Sequence, residues 1–600
     1  MTHLSVAAGN SSSDDATEAQ WRVACEALEA VYGNSPGFQS WLGRVRDRVD
    51  SAIAARAPAL VEWDRAAPAD GWWRAASVVG YSAYVDRFAG TLAALPDRLP
   101  YLSDLGVSYL HLLPLLKPRA GESDGGYAVA DFEDVNPALG TLDDFQRMLD
   151  MARIQGVNVV IDLICNHVAD DHRWAVAARQ GDPRYRDYFH FMRTDAEVAA
   201  WEEVLIDIFP DSAPGSFTRV DEADAWVWTT FYPYQWDLNY ANPDVFLEMT
   251  SVILNLANRG VAGFRLDSTA FLWKEAGTNS RNRPEVHRIL TAWRALLSML
   301  SPAVVLKAEA IERLPEVLPY FGETRPECDL AYNNGVMAAL WASIALGSGE
   351  PARRLIAEAA AKPDDGVWIN YVRCHDDIIF SALSPAVSPA DQREAALRLT
   401  DRRPDCFGRG EVFQEFNGVP SVNGMTASLV GMDDPSDPWG ASRLVALYAL
   451  CFALDGAPVI YMGDELALAN DEAWRTDPER AGEGRWLQRP AMDWGAAGSG
   501  DATGVGSAFR RMIAIRRGRE AFDARSPLVL STDGPDPVVS FTRGAGDGRV
   551  QILVNLSDRP TQAPTVVGAP AWRDLLSDRV GTGEIVEMAP YQALWLEVVR

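Results

Sequence analysis

The sequence predicts an α/β fold: a closed (β/α)8 TIM barrel with two rim insertions, a helical N-terminal domain and a C-terminal antiparallel β-domain. Two observations carry this. Eight short apolar runs of strand character alternate with helical segments. Three of them lead into a carboxylate, in Val261-Ala-Gly-Phe-Arg-Leu-Asp267, Val304-Val-Leu-Lys-Ala-Glu309 and Trp368-Ile-Asn-Tyr-Val-Arg-Cys-His-Asp-Asp377. A buried parallel strand ending in an acid delivers it to the C-terminal rim, where such barrels keep their chemistry.

In chain order, residues 1–15 are polar and Ser-rich and are expected to be disordered. From Glu18 to Ala66 the pattern is helical, with Trp21, Ala24, Cys25, Leu28 and Val31 near one face. These residues are assigned to an N-terminal domain spanning 1–75. Strands are expected at 78–84, 109–113, 157–164, 263–266, 304–308, 330–332, 367–372 and 458–461. They place the barrel in three parts, 76–168, 246–380 and 441–524. Two gaps exceed an ordinary loop. Residues 169–245, rich in aromatics, follow the third strand, and residues 381–440, rich in Gly, Pro and Asp, follow the seventh; both would wall a pocket. Short alternating segments place the β-domain at 525–600, and no internal repeat occurs.

Composition excludes several function classes. The 600 residues hold 83 acids against 55 bases, a net charge of −28, which opposes binding to nucleic-acid phosphates or anionic membranes. None of the six cysteines forms a Cys-x-x-Cys pair, so buried thiols are expected rather than disulfides or a zinc site. No basic-then-apolar leader begins the chain. The most apolar stretch, 444–462, is broken by Asp455 and Gly456, so a cytoplasmic protein is expected.

Four motifs carry the chemistry. Asp162-Leu-Ile-Cys-Asn-His167 ends the third strand and puts Asn166 and His167 on the rim, with His167 placed to donate to a substrate hydroxyl. In Phe264-Arg-Leu-Asp267, strand alternation turns Arg265 and Asp267 to the same side. A guanidinium there keeps the acid ionised, as a nucleophile needs. Glu309 follows an apolar run that would raise its pKa, as a general acid needs. His375-Asp-Asp377 places two adjacent acids on a shielded rim. One such acid could stabilise a cationic transition state, while Asp377 could equally cap a helix. Two acids supply a nucleophile and a proton donor for glycosidic cleavage.

These four motifs resemble those of glycoside hydrolase family 13, the α-amylase superfamily. Further stretches are similar to its amylosucrase and sucrose hydrolase subgroup: Ser123-Asp-Gly-Gly-Tyr-Ala-Val129, Asp134-Val-Asn-Pro-Ala-Leu-Gly-Thr141, Trp228-Thr-Thr-Phe231, Gln235-Trp-Asp-Leu-Asn-Tyr240, Phe271-Leu-Trp-Lys274 and Gly484-Arg-Trp486. The resemblance implies a retaining glucosyltransferase that cleaves sucrose, releases fructose and passes glucose to an α-glucan, an oligosaccharide or water. Asp267 would be its nucleophile, Glu309 its acid/base and Asp376 its stabiliser. His167, His375 and Arg265 would bind and orient glucose, together with Asp377. Asp124 and Arg485 would close the end of the pocket, Tyr127 would be the stacking platform, and Phe231 another wall. No cofactor or metal is expected. Some relatives bind calcium between barrel and first insertion, where Asn166 and nearby acids would stand. Two departures, Ser421 and Glu312, fall on the acceptor side and put long-glucan synthesis in question. The competing expectations are a sucrose hydrolase, a general α-glucosidase or trehalose-forming enzyme, and a non-catalytic binding barrel. The oligomeric state has no signature.

Overall fold

A computed structural model describes residues 8–599 except 417, 479, 499, 532 and 566–570. Eight parallel strands close a barrel in the order β1-β8-β7-β6-β5-β4-β3-β2. They are β1 (Gly80–Ala83), β2 (Tyr109–Leu112), β3 (Asn158–Ile164), β4 (Gly263–Asp267), β5 (Val305–Ala308), β6 (Leu330–Tyr332), β7 (Val367–Tyr371) and β8 (Ala457–Tyr461). Every predicted strand is present, including the three-residue β6. All are buried on both faces apart from the first residue of β3, which is why they read as continuous apolar runs. Gly263 opens β4 where a Cβ would stand 2.4 Å from Val305 Cγ2, so only glycine allows β4 and β5 to approach there.

Three helices precede the barrel: α1 (Ala8–Tyr32), α2 (Phe38–Ala55) and α3 (Pro58–Ala66). They brace its outside behind β4 and β5. α1 packs on α5 (Pro284–Leu300) and α2 on α4 (Pro243–Arg259). Tyr32 donates to the Tyr240 carbonyl at 2.9 Å and Trp41 to the Pro243 carbonyl at 3.1 Å. Phe246 of α4 and Trp293 of α5 stack at 5.7 Å beneath them. α4 starts where Asn242 caps the Asp244 N–H with Pro243 at its first position, and it stops at Gly260, φ 104°. That stop lets the chain enter β4 and deliver Asp267. The disorder expected for residues 1–15 is corrected from Ala8 onward. Extending a helix already anchored on α5 needs no new nucleus, so polar residues continue it. Residues 1–7 lie outside the described residues.

The chain leaves the C-terminal rim after β3 to form a three-stranded sheet (Phe217–Val220, Ala225–Trp228, Phe191–Met192) and a strand pair, His167–Ala169 with Gln235–Asp237. After β7 it forms a hairpin, Glu411–Phe416 with Val419–Asn423. A shorter excursion after β2 pairs Leu116–Pro118 with Val129–Val135, and the sequence did not predict it. Beyond the barrel lies a six-stranded antiparallel sheet running from Leu528–Leu530 to Ala593–Val598, with a separate pair, Thr561–Pro564 and Ile585–Met588. Among the described residues no helix is long and apolar enough to cross a membrane.

Candidate active site

A cavity of ≈360 Å³ opens at the C-terminal rim, and the eleven site residues named from the sequence all line it. Asp267 is the last residue of β4 and Glu309 the first after β5; Asp376 stands five residues beyond β7. Asp124 and Tyr127 come from the excursion after β2, His167 from the start of the strand His167–Ala169 that follows β3, and Arg485 from the segment after β8. The Ser123-Asp-Gly-Gly turn holds three consecutive residues at positive φ, Asp124 at 51°, Gly125 at 65° and Gly126 at 101°. Asp and Gly tolerate that region best, and a Cβ on Gly126 would press on Pro114 at 3.0 Å.

One buried guanidinium organises the acids. Arg265 contacts Asp267 Oδ1 at 2.7 Å, Asp162 Oδ1 at 3.0 Å, Glu309 Oε1 at 3.3 Å and Asp376 Oδ2 at 3.9 Å. Burial pushes the Glu309 carboxyl up to about 7; Arg265 opposes this, while Asp267 and Asp376 reinforce it. A carboxyl at about 7 exchanges its proton within the neutral range, as an acid/base needs. Burial also disfavours a charge on Asp162, but Arg265 overcomes it and holds that carboxyl well below the usual range. Asp162 collects bonds from Arg265, from the Tyr127 hydroxyl at 3.2 Å and from His111 Nε2 at 3.2 Å. His375 Nε2 lies 2.6 Å from that same hydroxyl, and its ring stacks on Tyr127 at 5.6 Å and 9°.

The closed end of the cavity is an ion-pair cluster. Arg485 Nη2 meets Asp124 Oδ1 at 2.7 Å and Glu483 Oε2 at 2.9 Å, while its Nε donates to Glu483 Oε1 at 2.9 Å. Arg485 Nη1 also faces Asp376 Oδ1 at 3.6 Å. Burial raises Asp124 to about 6 even against Arg485. Phe231 packs between His167 (5.3 Å) and Phe271 (5.5 Å) to form a side wall. Asp377 is buried, which raises its carboxyl pKa.

Two expectations change. His167 was expected to donate to a substrate hydroxyl. Its Nε2 instead lies 3.2 Å from the Tyr127 carbonyl oxygen, with the Asn166 amide donating to Nδ1 at 3.4 Å. Burial keeps the ring neutral, so it has one N–H, and that N–H is turned toward Tyr127. Ser421 was expected on the acceptor wall, but it does not line the cavity. It is buried in the hairpin after β7 beside Asp377, and Gln414 and Phe416 of the other strand reach the cavity instead.

Three contributors escaped the sequence. Asp162 was quoted only as the start of a motif. Its register opposite Arg265 between β3 and β4 was the available signal. Glu483 stands two residues before Arg485. Ser268, a non-glycine residue at φ 52°, ψ 39°, gives its N–H to Glu309 Oε2 at 2.7 Å and its hydroxyl to Asp267 Oδ2 at 2.9 Å. That backbone conformation costs roughly 1–3 kcal/mol. It points both donors of one residue at the two carboxylates.

The donor atoms of Asn166 and Asp237 are already in use. Lys274, 1% exposed, places Nζ 2.6 Å from Asp237 Oδ2 and 3.1 Å from Asn166 Oδ1, so an ammonium sits between barrel and insertion. Lys274→Met would strand a buried carboxylate, and a destabilisation of about 3–5 kcal/mol is expected from denaturant unfolding. Wild-type stability would refute the role. Cys374, His375 and Asp376 also lie close together. Burial raises the Cys374 thiol to about 12, however, and a protonated thiol is a poor metal ligand.

A barrel carrying paired carboxylates, one 2.7 Å from a buried arginine and one whose carboxyl pKa burial raises, defines a class of enzyme built for acid-and-nucleophile chemistry at glycosidic bonds. The "Alpha amylase, catalytic domain" family profile matches residues 59–360, half of the chain, and the protein belongs to that family, an enzyme acting on glucosides. It is similar to the trehalose synthase/amylase TreS of Mycobacterium tuberculosis, at 29% identity over 535 residues covering 82% of this chain and 84% of the relative. The glucosylglycerate phosphorylase of Allomeiothermus silvanus is 27% identical over 503 residues, 82% and 84% of the two chains. Among solved structures, the trehalulose synthase MutB from Pseudomonas mesoacidophila MX-45 superposes with a TM-score of 0.66 at 19% identity, covering 88% of this chain and all of that one.

Proposed function

We propose that the protein is a retaining glucosyl-transferring enzyme of the amylosucrase type that cleaves sucrose and passes glucose to a glucan, an oligosaccharide or water. The observation that carries this reading is the closed end. Asp124, Arg485 and Glu483 interlock next to Asp376, which leaves room beyond the catalytic acids for one terminal glucose rather than a chain. Asp267 attacks the anomeric carbon while the Glu309 proton moves to the departing fructose oxygen. One C–O bond forms to the carboxylate as the other breaks. Glu309, now ionised, takes the proton of an acceptor hydroxyl or water, whose oxygen displaces Asp267 and restores the α configuration. Asp376 stabilises the oxocarbenium-like transition state of each step, and the apolar face of the ring lies on Tyr127.

Incubation with sucrose alone is expected to release fructose. A fructose excess with oligomeric or insoluble glucan supports transfer, equal glucose and fructose support the hydrolase, and no fructose sinks both. The likeness to the trehalose synthases favours a second reading, interconversion of glucose disaccharides. Trehalose formed from maltose by a protein inert to sucrose would establish it.

A further inference from the structure

Four arginines line the cavity, and each already holds a carboxylate. Arg265 serves the catalytic acids, Arg485 the closed end, and the exposed Arg313 pairs with Glu316. The fourth, Arg281, is different. It belongs to the loop after β4, its guanidinium lies 5.0 Å over the Phe271 ring, and its Nη2 meets Glu312 Oε1 at 2.5 Å. Glu312 follows Glu309 by three residues, so this pair borders the acid that receives and releases the acceptor proton. Both partners are largely buried, their side chains 18% and 14% exposed. The Asn334 amide donates to the Glu312 carbonyl at 3.0 Å and ties that loop to the helix after β6.

Left unpaired, Arg281 would be a half-buried guanidinium on the acceptor wall. That is the group which recruits carboxylate or phosphate co-substrates in a fork geometry. Glu312 fills the fork from within. An entering anion must break the pair and then face the displaced carboxylate at short range, with Asp376 and Asp377 on the same cavity. Repulsion of this kind sets specificity by penalising the wrong partner. We propose that Glu312 excludes anionic acceptors by occupying Arg281, restricting the glucosyl-enzyme to neutral hydroxyl acceptors. This rests on the reading that a glucosyl-enzyme forms here, and it adds the acceptor class to it.

The test compares D-glycerate with glycerol, which differ by a carboxylate in place of a hydroxymethyl group, using 4-nitrophenyl α-D-glucopyranoside as donor. Nitrophenol release reports on formation of the glucosyl-enzyme; the ratio of glucosylglycerate to glucosylglycerol reports on Glu312. Wild type is expected to favour glycerol by about tenfold or more, and Glu312→Gln to raise the glycerate share by about tenfold. Glu312→Asp, which keeps the charge, and the double variant Arg281→Gln/Glu312→Gln, which removes the fork, should both remain near the wild-type ratio. Equal use of the two acceptors by wild type overturns the proposal. So does a Glu312→Gln enzyme that releases nitrophenol with an unchanged ratio.

Discussion

Asp267→Asn is expected to lower kcat/KM by about 10⁴-fold or more, because an amide oxygen neither attacks the anomeric carbon usefully nor carries the charge that Arg265 is placed to hold. The neutral substitute keeps nearly the same shape, so the loss belongs to chemistry and not to packing. Circular dichroism and Tm should stay close to wild type, since the amide oxygen can still accept from Arg265 while its NH2 donates to the Ser268 hydroxyl oxygen. Mass spectrometry of wild type quenched during turnover of a slow glucosyl donor should find one hexose on the peptide holding Asp267, and none in the variant. A variant within tenfold of wild type would remove Asp267 from the nucleophile role.

Glu309→Gln is the second large effect, about 10²–10⁴-fold on an unactivated disaccharide. The loss should shrink on 4-nitrophenyl α-glucoside, whose leaving group needs no proton, because the first step then proceeds and only the second is slowed. The pH profile gives the same residue a separate signature. The Glu309 carboxyl is raised to about 7 by burial, with Arg265 pulling down and Asp267 and Asp376 pushing up. The protonated form is the working acid in the first step, so kcat/KM on a disaccharide should fall as pH rises through about 7. In Glu309→Gln that alkaline limb should vanish. An unchanged limb would assign it to another group.

The barrel was legible because parallel strands buried on both faces must be written as short apolar runs, and even the three-residue β6 keeps that character. The rim acids were legible because a strand end is a fixed place: Asp267, Glu309 and Asp376 follow their strands by zero, one and five residues. What lies between the strands was less so. Nothing periodic marks the excursion after β2, although it brings Asp124 and Tyr127 into the cavity. Ser421 was put on the wrong wall for the same reason. In an insertion no repeat tells which strand of a hairpin faces the cavity, and the structure turns Gln414 and Phe416 there instead.

By itself the sequence determined which acids stand at the barrel rim and line the cavity, since residue type and position at a strand end suffice for that. The tertiary structure alone decided the state each one is held in. Asp162 is a charge hub because β3 and β4 pair in the register that sets it against Arg265. Lys274 fills the junction beside Asn166 because the first insertion folds back to bring Asp237 within 2.6 Å. The Glu309 carboxyl is raised because burial, with Asp267 and Asp376 beside it, outweighs Arg265. Electrostatic energies depend on distance and on the water excluded, and both are set by contacts between residues far apart in the chain.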